Sequence, residues 1–321
     1  MRISRKIHPQ KKAQSGSALI TALFIMTLIA IAATAMTMRL QLDIYRTRLT
    51  LTSDKLHYAS QFVTFWAINK LSLKKQLFAV SDLNGKVAQF PEKLSAIYPH
   101  FKLTGAIYDL QSRFNLNNLS DPKYFLTMLR LLDDPKIHLN KEEKKHLVMT
   151  INQWISPYQP GHDKEDWLAD YLRQNPPYLP AHQPLHSVSE LRLLKGVNAS
   201  LYNILSPHLS ALPEETPLNI NTIPPQLIHV LGYGLTAEQI DTILQKRTPK
   251  GIRNPVKLMN LLKTFNISPD QVTLTSQYFL CAATVTSADL TTVNFTILKR
   301  NQDKKGNSTV TLISESLNTL P

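Results

Sequence analysis

The chain has 321 residues, with 36 Lys and Arg against 23 Asp and Glu, a formal charge of +13. That length suits one large domain or two modest ones with a real core. A single cysteine, Cys281, excludes an intramolecular disulfide, so an exported chain of this kind is held by its core or by a bound ion; the basic balance suits nucleic acid, anionic lipid or an acidic protein surface, or is a solvated face.

The N-terminal flank Met1–Gly16 carries Arg2, Arg5, Lys6, Lys11 and Lys12 and no acid, and Ser17–Met38 then runs without a charge. Such a run is long enough to cross a bilayer as a helix. The positive-inside rule keeps the basic flank in the cytoplasm and sends everything after Arg39 across. The small residues Ala33–Ala35 also fit a signal-peptide cleavage site, which leaves a cleaved secretory leader as the alternative. No Gly or Pro occurs from Ser17 to Asn84. Beyond Arg39, Leu42, Leu49, Leu56, Ala59, Phe62, Val63, Trp66 and Leu73 fall near a helical period. One helix continuing to Phe78 would be roughly 90 Å long, and its amphipathic outer half needs something to pack on.

Basic leader, Gly16, uncharged helix and amphipathic continuation together resemble a type IV prepilin. The resemblance implies a prepilin peptidase cutting after Gly16, which leaves Ser17 as the first, N-methylated residue of a subunit that keeps its helix. Pilin-like chains usually carry Phe or Met at that first position and Glu at the fifth; here they are Ser17 and Thr21. In the family that Glu neutralises a neighbour's N-terminal amine within the apolar fibre core. An unpaired buried charge costs several kcal/mol, so the neutral Thr21 suits a subunit with no neighbour above it, at a fibre tip.

After Gly85 the chain changes character. His100–Leu119 reads as a strand or two leading into a turn, and residues 120–275 read as short helices. Capping boxes are predicted at Asn140/Glu143, Ser187/Glu190, Thr236/Gln239 and Ser268/Gln271, and Asp121-Pro122 opens another helix. Trp154, Trp167, Tyr171 and Tyr178 are expected in the core of this block. The C-terminal stretches "TSQYFLCAATV", "LTTVNFTILKR" and "NSTVTLISESL" read as three strands separated by polar turns, with Cys281 a small core residue.

A helical block let into a sheet behind a long helix resembles the type II secretion minor pseudopilin K family. The resemblance is carried by "SGSALITALFIM", "YDLQSRFNLNNL", "NPPYLPAHQPLHSVSELRLLKGV" and "ALPEETPLNINT", in the family's order. It implies an α+β fold: a pilin-like N-terminal helix packed on a small antiparallel sheet, with a large all-α, helix-hairpin-helix or SAM-like domain inserted between strands. The expected division is a leader (1–16), a transmembrane helix (17–38), its amphipathic continuation (39–84), strands (85–119), the helical insert (120–275) and further strands (276–321).

The family can bind calcium through an acidic stretch of its insert. Here Asn152, Ser156 and Tyr158 replace the first acids, and Asp163, Glu165, Asp166 and Asp170 remain as the candidate ligands, although the same acids also suit a solvated helix face. Calcium wants six to eight oxygens. No zinc-helix spacing, nucleophile elbow or phosphate loop occurs, so no catalytic activity is expected. Asn219–Arg247 resembles a helix-hairpin-helix element around Gly232-Tyr233-Gly234, and net-basic residues follow it. The alternative function is therefore a membrane-anchored DNA-binding protein, whose hairpin amides would contact phosphate.

The primary expectation is a minor pseudopilin at the tip of the secretion pseudopilus, with no nucleic-acid partner. Its implied partners are the minor pseudopilins I and J, the major pseudopilin fibre and the prepilin peptidase. It is expected in the inner membrane as a single-pass protein with its C-terminal bulk in the periplasm. Contacts to the partner helices are expected from Leu49, Leu56, Phe62 and Trp66.

Overall fold

The computed structural model describes residues 15–73, 78, 80–82, 84–95, 100–158, 165–247, 250–288, 290–303 and 306–320. The chain divides into two units at Lys55/Leu56. The first helix, α1 (Ser15–Ser72), runs through that division.

In the first unit the apolar side chains of α1 are bare; Phe24 is 64% and Ile31 70% exposed. The stretch is long and apolar enough to cross a membrane, by length and composition. Its hydroxyls carry their own partners. Thr27, Thr34 and Thr37 each donate to a carbonyl one turn back, at 2.8, 2.8 and 2.9 Å. A polar group satisfied within its own helix costs little in an apolar surround.

The second unit is built on an antiparallel sheet. In chain order its elements are β1 (Lys86–Gln89), α2 (Glu92–Ser95), β2 (Lys102–Asp109), β3 (Phe114–Asn115), α3 (Phe125–Leu131), α4 (Lys141–Ile155) and α5 (Glu165–Leu172). There follow α6 (Ala199–Leu205), β4 (Leu209–Ser210), β5 (Leu218–Asn219), α7 (Pro225–Ile228), α8 (Ala237–Lys246), α9 (Pro255–Thr264) and β6 (Val272–Thr273). The chain closes with β7 (Tyr278–Ser287), β8 (Leu290–Gln302) and β9 (Ser308–Leu317). The sheet order is β1-β2-β7-β8-β9. Every element from β3 to β6 is therefore let in between two adjacent strands, β2 and β7.

Alternation along β7 decides what each face of the sheet meets. Phe279, Cys281, Ala283 and Val285 point to one side and pack with Leu56, Ala59, Val63, Ala67 and Leu71 of α1. Those helix residues recur every three or four positions, so they form one buried stripe. Gly105 of β2 permits the close approach: a Cβ there would stand 2.4 Å from Val63 Cγ1 and 3.2 Å from the Ala282 carbonyl. Tyr278 and Leu280 point to the other side and pack with Leu110, Leu212 and Ile297.

The helix ends at Ser72, short of the expected Phe78 and of the boundary at 84. No breaker stops it. Arg300 Nη2 donates to the Leu73 carbonyl at 3.1 Å, and Phe78, at φ 42°, is buried with its ring 5.4 Å from that of Phe279. Tertiary contacts override helix propensity here.

The insert has its own core. Trp154, Trp167 and Tyr171 are buried in it, Trp154 and Trp167 with ring centroids 5.5 and 5.2 Å from Tyr171, and the half-buried Tyr178 lies 5.6 Å from Tyr171. Reciprocal capping boxes form at Asn140/Glu143, Ser187/Glu190 and Thr236/Gln239. The box expected at Ser268/Gln271 does not: Ser268 makes no cap bond, and only the 3-10 turn Pro269–Gln271 follows. Gln271 is drawn elsewhere, accepting the Gly232 amide at 3.1 Å.

Candidate functional site: the helix face and the motif junction

Thr21 lies near the start of α1, and its hydroxyl donates to the Ser17 and Ala18 carbonyls at 3.1 and 3.0 Å. A neutral side chain satisfied in this way needs no partner from another subunit. Gly16 and Ser17 lie within the first turn.

The expected contact stripe is only partly available. Leu49 is 39% exposed, but Leu56 is buried against the chain's own sheet. Phe62 and Trp66 are half-buried and meet Phe90 edge-on, with ring centroids at 6.1 and 5.3 Å. The exposed aromatics on this part of α1 are instead Tyr58 (69%) and Phe65 (66%). Periodicity alone marks two apolar faces on such a helix without saying which one the sheet takes. The sequence signal for the free face was the seven-residue spacing of two aromatics, Tyr58 and Phe65.

Two of the quoted motifs turn out to hold each other. Asp109, at the end of β2, is fully buried and accepts from Thr222 Oγ1 at 2.5 Å, Ser276 Oγ at 2.6 Å, the Gln111 amide at 2.9 Å and Asn219 Nδ2 at 3.2 Å. Burial pushes its carboxyl pKa up, and these donors pull the other way. The three buried asparagines that follow act as substitutes for missing strand partners. Asn115 Nδ2 donates to the Glu214 carbonyl at 2.8 Å, and its Oδ1 accepts the Leu212 amide at 3.0 Å. Asn117 Nδ2 donates to the Leu185 and Leu212 carbonyls at 2.9 and 2.8 Å, while its Oδ1 accepts the Leu185 amide at 2.8 Å. Asn118 makes a matched pair of bonds with the backbone of Thr216, at 2.8 and 3.0 Å.

The adjacent acids of "PEET" divide their work. Glu214 accepts from Lys299 Nζ at 2.6 Å and Tyr278 Oη at 2.8 Å, both on the sheet, and Lys299 holds its carboxyl below the usual range. Glu215 accepts from Tyr124 Oη at 2.8 Å, inside the insert. So "YDLQSRFNLNNL" and "ALPEETPLNINT" form one polar seam that fixes the insert on the sheet. Reading the sequence picked out both segments and gave neither a role. A run of Asn, Asp and Gln among Leu and Phe was the available signal, because buried amides must find partners.

The hairpin expected to contact phosphate spends its amides internally. Gly232 donates to Gln271 Oε1 at 3.1 Å and Gly234 to the Leu231 carbonyl at 3.1 Å, and the Arg130 guanidinium hydrogen-bonds the Gly232 carbonyl. Lys246, Lys250, Arg253 and Lys257 line a separate cleft of about 690 Å³, and among the described residues no aromatic lines it for base stacking. The hairpin itself therefore gives the DNA-binding alternative no support.

Of the calcium candidates, Asp163 and the side chains of Glu165 and Asp166 lie outside the described residues. Asp170 is ion-paired to Lys195 at 2.5 Å. Among the described residues no three His, Cys, Asp or Glu side chains gather as a metal group.

A helix lying along one face of an antiparallel sheet, with a helical block let into the sheet between neighbouring strands, defines a pilin-like protein with an inserted α-domain. The sequence profile of "Type II secretion system (T2SS), protein K" matches residues 112–214. The chain belongs to the type II secretion system protein K family. The Aeromonas hydrophila type II secretion system protein K is 32% identical over 241 residues, 68% of this chain and 70% of that protein. The Klebsiella pneumoniae protein K is 31% identical over 265 residues, 74% and 76% of the two chains. The Pseudomonas aeruginosa protein K is 27% identical over 319 residues, 92% and 91%. The fold is also that of a chain in the crystal structure of the GspK-GspI-GspJ complex from the enterotoxigenic Escherichia coli type 2 secretion system. That likeness has a TM-score of 0.66 at 20% identity and covers 85% of this chain and 99% of that one.

Proposed function

We propose that the chain is a non-catalytic minor pseudopilin at the tip of the type II secretion pseudopilus, where it helps to start the fibre and to export folded proteins across the outer membrane. Membership of the protein K family on a pilin-like fold carries this reading. Thr21 adds to it: with a self-satisfied hydroxyl in place of a carboxylate, the helix has no charge to pair with a subunit above. The basic flank stays in the cytoplasm, α1 spans the inner membrane and the second unit lies in the periplasm. Prepilin peptidase cuts after Gly16. The solved relative was crystallised with GspI and GspJ, and the corresponding minor pseudopilins I and J are the partners here, meeting the exposed Tyr58 and Phe65. No step of this function is routed through calcium.

The test is to co-express the full chain with its prepilin peptidase and subunits I and J. The mature N-terminus should be Ser17, and I and J should co-purify with the wild type but be lost with Tyr58→Glu/Phe65→Glu. A chain beginning at Met36, or full retention of I and J by the double variant, overturns the assignment of leader or contact face respectively.

A further inference from the structure

On the sheet face away from α1, a cavity of about 300 Å³ opens between β7, β8 and the insert. Its apolar wall is made by Leu110, Leu280, Ile297 and Tyr202. Its polar wall contains two groups that the fold leaves unpaired. Ser210, in β4, is only 3% exposed, yet its Oγ has no hydrogen-bond partner. Arg113, one residue before β3, is half-buried and makes no side-chain hydrogen bond or ion pair; burial lowers its guanidinium pKa, against the pull of Tyr108 and Asp109. Both residues line the cavity, and the pairing of β3 with β4 sets Asn115, two residues after Arg113, opposite Ser210.

Buried polar groups are nearly always paired, and an unpaired buried hydroxyl such as that of Ser210 costs free energy that a ligand would recover. Ser187 and Ser189 add two more hydroxyls to this wall; they are bonded to each other at 2.8 Å, which leaves one O–H of the pair to serve an acceptor. No acid lines the cavity, and Arg113 is the one charged residue among the described residues that do. The site therefore wants an anion. A single guanidinium balances a single negative charge, which favours a carboxylate over a phosphate dianion. The volume, at about 30 Å³ per water-sized group, holds roughly ten heavy atoms, and the apolar wall calls for hydrocarbon in most of it.

We propose that this cavity binds a carboxylate carried on a short apolar body, with Arg113 and Ser210 holding the oxygens. Two sources share that chemistry: a medium-chain fatty acid and the C-terminal residue of a polypeptide. Octanoate and N-acetyl-leucine are the probes for them, with octanamide and N-acetyl-leucinamide as charge-deleted controls.

Isothermal titration and melting curves on the full-length protein in a non-ionic detergent provide the readouts. Octanoate or N-acetyl-leucine should bind saturably and raise the melting temperature, and the tighter of the two names the source. The two amides should not bind. Arg113→Gln and Ser210→Ala should each weaken binding at least tenfold, and Ser210→Ala should leave the unliganded melting temperature unchanged or raised, since it removes an unpaired buried hydroxyl. The second variant keeps the test decisive if the first misfolds. Three results overturn the proposal: no saturable binding of either acid below about 1 mM, equal binding of the controls, or unaltered affinity in Ser210→Ala.

Discussion

Replacing Asn117 by alanine tests the polar seam at its most loaded point, where three segments of the insert meet. The side chain is 6% exposed and satisfies three backbone groups at once: the Leu185 amide and the Leu185 and Leu212 carbonyls. Alanine cannot reach any of them. Each buried group left unpaired costs about 1–3 kcal/mol, and carbonyls, with a second lone pair, sit at the lower end. A loss of about 4 kcal/mol is expected, a large share of a typical folding stability of about 5–15 kcal/mol. For a body of this size that corresponds to a fall in Tm of about 8–16 °C. Near-UV circular dichroism of the full-length protein in detergent would follow the tertiary melt. Ser120→Ala is the matched control, because that exposed hydroxyl bonds only the Asn117 carbonyl at 2.9 Å, and it should shift Tm by no more than about 2 °C, in keeping with a surface substitution. If Asn117→Ala melts with its control, the asparagines decorate the junction and do not hold it.

Three further outcomes follow from the packing. Gly105→Val should destabilise by about 1–3 kcal/mol through overpacking, because the new Cβ lands on Val63; Val63→Ala in the same chain should restore part of the loss, and no restoration would remove the close-approach argument. Cys281 is 0% exposed, and burial pushes its thiol up to about 12, so maleimide at neutral pH should leave the folded protein unlabelled and label it stoichiometrically in denaturant. Asp109 supplies a pH test with a defined sign. Its folded pKa is raised above the ordinary 3.8, so its stabilising contribution is complete below that value and is lost as pH rises through the higher folded value. The stability of the wild type relative to Asp109→Asn should therefore fall on going from below 3.8 towards neutrality, and a difference that grows with pH contradicts the burial argument.

Much of this architecture was legible in residue order. The absence of Gly and Pro from Ser17 to Asn84 announced one long helix, and the helical end of it was misjudged because Phe78 and Arg300, far apart in sequence, decide where the chain turns. Capping boxes at Asn140, Ser187 and Thr236 were readable because both halves of each signal are local. The box at Ser268 failed because Gln271, its other half, is captured by the Gly232 amide and by Thr127. The same limit explains the contact stripe. Leu56 and Tyr58 are two residues apart on one helix, and only the sheet, contributed by the far end of the chain, assigns the first to the core and the second to solvent.

The place of the insert explains how one chain carries both a pilin-like sheet and a separately cored helical block. Asp109 and Phe279 are direct partners on adjacent antiparallel strands, so the chain leaves and re-enters the sheet at neighbouring points. Closing a long excursion between such points costs entropy that grows only with the logarithm of its length. Local bonds then fasten both ends: Gln111 Oε1 accepts the Gln277 amide at 2.5 Å, and Asp109 accepts from Ser276. The pairing of β2 with β7 continues down to Lys102 and Thr286 whatever lies in the excursion. The helix-facing core, from Leu103 to Leu298, draws no residue from the insert. A pilin-like scaffold can thus keep its helix and sheet while the insert presents separate surfaces, and the bonds of Asp109 and Glu214 tie the second part to the first.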